Sequence, residues 1–110
     1  FHCALMQPAA DEMANALEGV KFDNPAVPLV ANVLADAESD ATRIKALLVE
    51  QVTGRVRWRS SVEWMAAQGV SEFWEIGAGK ALSGMIRRIA KESTMRAIGT
   101  PDDVVALKNA

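Results

Sequence analysis

Apolar stretches of strand length alternate along this chain with stripes of helical period, a pattern that predicts an α/β fold with short, mostly parallel strands between helices. Three observations carry that reading. Residues 26–33 form an apolar run bounded by turn formers, 70–76 read as a second strand, short and aromatic, and 95–99 as a third short one. Ala10, Met13, Ala14 and Leu17, then Ile44, Leu47, Leu48 and Val52, then Leu82, Met85, Ile86 and Ile89 recur at the three- and four-residue spacing of a helix face. Gly77-Ala78-Gly79 turns the second strand into the helix that follows it. Three strands are few for a sheet whose faces and edges all need cover, so further strands are expected from outside these residues.

Each element has a local reason. Pro8 suits the first turn of a helix, where its missing N–H would be unpaired in any case, and Gly19 can end that helix. Pro28 cannot donate to a ladder, so it is expected near the start of the first strand or at a sheet edge. Ala35-Asp36-Ala37-Glu38-Ser39-Asp40 reads as a polar connection whose last residue caps the next helix. Gln51 falls seven residues after Ile44 on that helix's apolar stripe, so its amide must either find a buried partner or mark a site. Gly54 breaks the helix, and Trp58, Val62, Met65 and Ala66 define another that ends at Gly69. Thr100-Pro101-Asp102-Asp103 combines a hydroxyl cap, proline at the first position and acids in the first turn, a strong helix start.

Composition narrows the function classes. At 110 residues, 50% hydrophobic and 24% charged, the chain belongs with ordinary globular domains. Twelve basic and fourteen acidic residues leave a formal charge of −2, without the electropositive surface that nucleic acid requires. No apolar run approaches the ~18–20 residues that span a bilayer, and the N-terminus has no secretory pattern, so neither a membrane nor nucleic acid is an expected partner. One cysteine makes no intrachain disulfide and fits a cytoplasmic protein.

His2 is the only histidine, and imidazole is the side chain suited to carrying a proton near neutral pH; a lone histidine is also commonly just packed or half exposed. Cys3 beside it would point to the opposite side of an extended segment, which makes it a poor nucleophile for that base and a small packing residue instead. Too few ligands surround this pair for a metal. Gly77-Ala78-Gly79-Lys80 invites a phosphate-binding reading, but Leu82 stands where a dinucleotide fingerprint needs its third glycine, and Trp74 and Ala81 break a P-loop. The turn is therefore read as structural. Arg87, Arg88 and Lys91, near a helix C-terminus, complement its dipole.

Four stretches go further. His2-Cys3-Ala4-Leu5-Met6-Gln7-Pro8-Ala9-Ala10, Val27-Pro28-Leu29-Val30-Ala31-Asn32-Val33, Val62-Glu63-Trp64-Met65-Ala66-Ala67-Gln68-Gly69-Val70 and Glu75-Ile76-Gly77-Ala78-Gly79-Lys80-Ala81-Leu82-Ser83-Gly84 together resemble, in order and spacing, the malonyl-CoA:acyl-carrier-protein transacylases, over nearly all of the chain. The resemblance implies the C-terminal part of an α/β-hydrolase-like acyltransferase fold. Residues 1–110 would be the C-terminal portion of its large subdomain, with residues 1–7 the connection from a small ferredoxin-like subdomain. The family carries its serine in a Gly-His-Ser-Leu-Gly type elbow upstream of the histidine, and no such motif occurs here. With no initiator Met either, the chain is expected to be a fragment that lacks its nucleophile, is inactive alone and needs the N-terminal portion as a partner.

What the resemblance implies for function is transfer of malonyl from coenzyme A to the phosphopantetheine thiol of acyl carrier protein, through an acyl-serine, in fatty acid biosynthesis. Malonyl-CoA would be a substrate, and no cofactor is implied. His2 would be general base and acid, the backbone carbonyl of Gln51 would orient it, and Arg87 and Arg88 would dock the acidic carrier protein. Two alternatives remain, an acyltransferase domain of a polyketide synthase and a noncatalytic interaction module.

Overall fold

A computed structural model describes residues 2–109, which divide into two compact units, 2–61 and 62–109. In the first, α1 (Gln7–Glu18) has Pro8 in its opening turn and Gly19 at its C-cap, and it packs against α2 (Ala41–Thr53). Asp40 caps α2 as its position predicts, its carboxylate accepting from the N–H groups of Thr42 and Arg43 at 2.8 and 3.2 Å. Asn24 accepts a further bond from Ala41 N–H at 2.8 Å, so three donors at this helix start have side-chain partners. The buried apolar side chains here are Ala10, Ala31, Ala35, Ala41, Ile44 and Leu47. Small residues dominate the list, which lets α1 and the loops lie close to α2.

The expected strand over residues 26–33 is much shorter. Only Leu29–Val30 forms β1, and it pairs antiparallel with β2 (Ala37–Glu38), inside the stretch read as a polar connection. A turn at residues 31–35 reverses the chain, held by the N–H groups of Leu34 and Ala35, which both donate to Ala31 O. Pro28 limits β1 on one side and this turn limits it on the other.

α3 (Trp58–Ala67) runs across the boundary between the two units. Its exit, with Gly69 at φ +96 and Val70 N–H bonded to Met65 O, delays the next strand, so β3 is Glu72–Ile76 rather than residues 70–76. β3 lies parallel to β4 (Thr94–Ile98) in the register Glu72 to Thr94 through Ile76 to Ile98. α4 (Ala81–Ile89) connects the two strands and packs on both, which is the strand–helix–strand unit expected. α5 (Pro101–Lys108) starts on the predicted cap: Thr100 Oγ1 accepts from Asp103 N–H, and Asp103 accepts in return from Gly99 and Thr100 N–H. Those bonds, the one from Gly99 N–H first, hold the Asp103 carboxyl below its usual range.

Candidate active site

α2 ends facing the start of the chain. A helix leaves its last carbonyls without intrahelical partners. Glu50 O is taken by Gly54 N–H at 2.9 Å, and Gln51 O accepts from Nδ1 of His2 at 2.7 Å. Because a carbonyl only accepts, Nδ1 carries the proton, and Nε2 of the neutral ring keeps its lone pair for another partner. The side chain of His2 is exposed.

The backbone around His2 departs from the extended segment expected. His2 has φ 60, in the left-handed region, where histidine is one of the few side chains found with any frequency. Such a conformation costs on the order of 1 kcal/mol or more and persists only where its surroundings hold it. Cys3 is extended at φ −143 and opens a 3₁₀ turn at Ala4–Met6 that leads into α1. The expectation that Cys3 packs inside was wrong: its side chain is exposed, because the 3₁₀ turn carries this segment over the surface.

The polar residue on the apolar stripe has its partner. Gln51 Oε1 accepts from Asn32 Nδ2 at 3.3 Å in a part-buried position, so the amide and the carbonyl of one residue face different neighbours. Asn32 belongs to the turn at residues 31–35, and its own carbonyl accepts from Arg57 N–H at 2.8 Å. Arg57 Nη1 also donates to Leu34 O at 3.3 Å. His2, Gln51 and Asn32 thus meet within the first unit although they lie far apart in sequence.

In the second unit, Arg87 and Arg88 are both exposed in the last turn of α4, and among the described residues neither is in an ion pair. The pair is not equivalent. Arg87 lines a groove of about 340 Å³ together with Lys80, Ser83 and Arg96, whereas Arg88 does not. Arg96 also lies over the Trp74 ring, 5.6 Å from its centroid, across the β3–β4 register.

The glycine turn that begins α4 is structural, and a residue missed in the sequence is the reason. Glu75 reaches forward from β3 to accept from Leu82 N–H, Ser83 N–H and Ser83 Oγ at 3.2, 2.9 and 2.8 Å. Its carboxylate occupies the helix N-terminus that a phosphate would need. Those bonds, led by the one from Ser83 N–H, hold the Glu75 carboxyl below its usual range. Gly77 and Gly79, at φ +138 and +85, give the chain the sharp reversal that brings the helix start back to Glu75. No group of three or more metal-ligating side chains occurs among the described residues, and no helix among them is long and apolar enough to cross a membrane.

Comparison with known proteins agrees with the resemblance read from the sequence, although no protein-family model matches the chain. The malonyl CoA-acyl carrier protein transacylase of Salmonella typhimurium is 46% identical over 100 residues, covering 91% of this chain and 32% of its own length. The crystal structure of an acyl-carrier-protein-S-malonyltransferase from Bartonella henselae superposes with a TM-score of 0.89 at 52% identity, over 99% of this chain and 35% of that one. A malonyl-transacylase in complex with its type II PKS acyl-carrier protein matches with a TM-score of 0.83 at 42% identity, over 99% of this chain and 36% of that one. The chain spans about a third of the length of the curated relatives it matches. In sequence and in its α/β fold it is homologous, over nearly all its residues, to that third of the malonyl CoA-acyl carrier protein transacylases.

Proposed function

We propose that this chain supplies the proton-transfer half of a malonyl transfer from coenzyme A to acyl carrier protein, with the nucleophilic serine contributed by residues outside the 110. The bond from His2 Nδ1 to Gln51 O carries this reading, since it leaves Nε2 as the basic atom. Nε2 takes the serine proton as the hydroxyl attacks the malonyl thioester, then returns it to the departing CoA sulfur, leaving the malonyl-serine ester. The carrier thiol gives its proton to the same nitrogen as it attacks the ester, and the serine oxygen recovers that proton on leaving. A main-chain carbonyl orients the ring but supports the imidazolium less than a buried carboxylate would.

The steps exchange a thioester for an ester and back with nothing oxidised or reduced, and coenzyme A serves as substrate rather than resident cofactor. In this reading residues 1–110 form the C-terminal portion of the large subdomain, residues 1–7 lead in from the small one, and the protein works in the cytoplasm in fatty acid biosynthesis. The exposed Arg87 and Arg88 receive the acidic carrier protein, as the likeness to a transacylase bound to its carrier protein supports. That relative also keeps a polyketide role in view, and the carrier protein that is accepted separates the two. In the intact transacylase, His2→Ala should slow acyl-serine formation ~10²- to 10⁴-fold, the range for loss of a general base. An unchanged acyl-enzyme burst in rapid-quench measurements would take His2 out of the mechanism.

A further inference from the structure

We propose that Asn32 is a positioning residue for the His2 imidazole, acting through the side chain of Gln51 on the carbonyl that His2 uses. The inference rests on the reading of His2 as the base. Gln51 is held at two points, its carbonyl by His2 Nδ1 at 2.7 Å and its amide oxygen by Asn32 Nδ2 at 3.3 Å. It lies in the last turn of α2, where helices fray unless something beyond them fixes their end. The turn at residues 31–35 supplies that fixation in three ways. Asn32 bonds the Gln51 amide, Asn32 O takes Arg57 N–H just beyond the helix, and Val33 Cγ1 lies where a Cβ on Gly54 would be only 2.7 Å away.

Backbone conformation is a second, independent observation. The two non-glycine residues with positive φ among the described residues are His2, at 60, and Ala35, at 53. One donates to Gln51, and the other closes the turn that carries Asn32. Strain of this kind is retained where several contacts fix the local geometry together, and here it falls on the residue bonded to the carbonyl and in the turn that carries Asn32. A displaced carbonyl would release Nδ1–H, and the ring could then rotate or exchange tautomers, taking Nε2 away from its task.

His2 is the sole histidine, so NMR of the imidazole nitrogens in this chain reads its tautomer without overlap. Asn32→Leu should move the ring from the Nδ1–H toward the Nε2–H form. In the intact transacylase the same change should lower kcat about two- to tenfold, the range for one net hydrogen bond, with KM for malonyl-CoA unchanged. Asn32→Asp should restore both, since the Gln51 amide can turn over and donate Nε2–H to the carboxylate. Gln51→Leu should match Asn32→Leu, and the double variant should be no worse than either. An unaltered tautomer in Asn32→Leu overturns the proposal, as does loss of folding in both Leu variants, which would make the bond a requirement of the fold. A tautomer shift with unchanged malonyl transfer would leave the positioning standing and remove the catalytic reading of His2.

Discussion

Gly54→Ala should destabilise the end of α2, even though the backbone at Gly54, φ −84 and ψ 159, is ordinary for alanine. The obstacle is space. An added Cβ would lie 2.7 Å from Val33 Cγ1 and 2.9 Å from Glu50 O, against the ~3.5–4.0 Å of a relaxed carbon–carbon contact. Val33 is stiff about χ1, so its methyl cannot simply swing away, and Glu50 O is backbone already bonded to Gly54 N–H at 2.9 Å. Overpacking of this size costs about 1–3 kcal/mol. The reduced freedom of the unfolded alanine chain offsets about 0.4–1 kcal/mol of that, for a net loss of up to about 2.6 kcal/mol. Gly19→Ala is the control, because Gly19 has φ −83 and nothing within 4 Å of its missing Cβ. That variant should gain the entropy term alone, about 0.4–1 kcal/mol. Urea unfolding of the two variants beside the parent chain measures the difference, and NMR of His2 reports whether its bond to Gln51 loosens in Gly54→Ala. Equal stability of the two variants would refute the steric argument.

Two further outcomes follow from the second unit. Glu75→Gln keeps an acceptor but removes the charge at the start of α4, so it should lower stability at neutral pH. The folded Glu75 carboxyl titrates below its ordinary value, so its contribution is present above the ordinary glutamate pKa of about 4.3 and is lost as pH falls from there through the lower folded value. The gap between parent and variant, read by thermal melts from pH 7 downward, should therefore close in acid; a constant gap would mean the charge is irrelevant. In the intact transacylase of the proposed reading, reversing Arg87 and Arg88 to Glu should raise KM for carrier protein and weaken its salt dependence while sparing the CoA half-reaction, because exposed charges at a rim act chiefly on association. Unchanged carrier-protein kinetics at low salt would return the pair to serving the helix dipole alone, with a stability effect of about 0.3–1 kcal/mol per residue.

Elements whose causes are local were legible in the sequence. Asp40 and Thr100 sit one residue before their helices and bond amides within three residues, so a short window contains the whole interaction. The β1–β2 pair was not legible, because two residues on each side carry almost no pattern and the turn between them uses Ala35 at positive φ where glycine would have signalled it. Glu75 was missed for a similar reason: it caps a helix from seven and eight residues upstream, outside any local capping motif.

The site divides along the same line. Gln51 stood out as a polar residue on an apolar stripe, and the structure answers that anomaly with Asn32, nineteen residues away. Its contact with His2 spans 49 residues and came from the family resemblance, since spacing alone cannot bring such positions together. Apolar period also overstates burial where cover must come from elsewhere. Leu82 and Met85 on the stripe of α4 remain 39% exposed, and Trp74 and Ile76 on one face of β3 remain 46% and 77% exposed. Parallel strands need cover on both faces, and Trp74 here bonds Glu72 and lies under the Arg96 guanidinium while remaining partly exposed. The apolar pattern of β3 and α4 therefore encodes a buried sheet that these residues alone do not complete, while the bonds that link His2, Gln51 and Asn32 lie within the first unit.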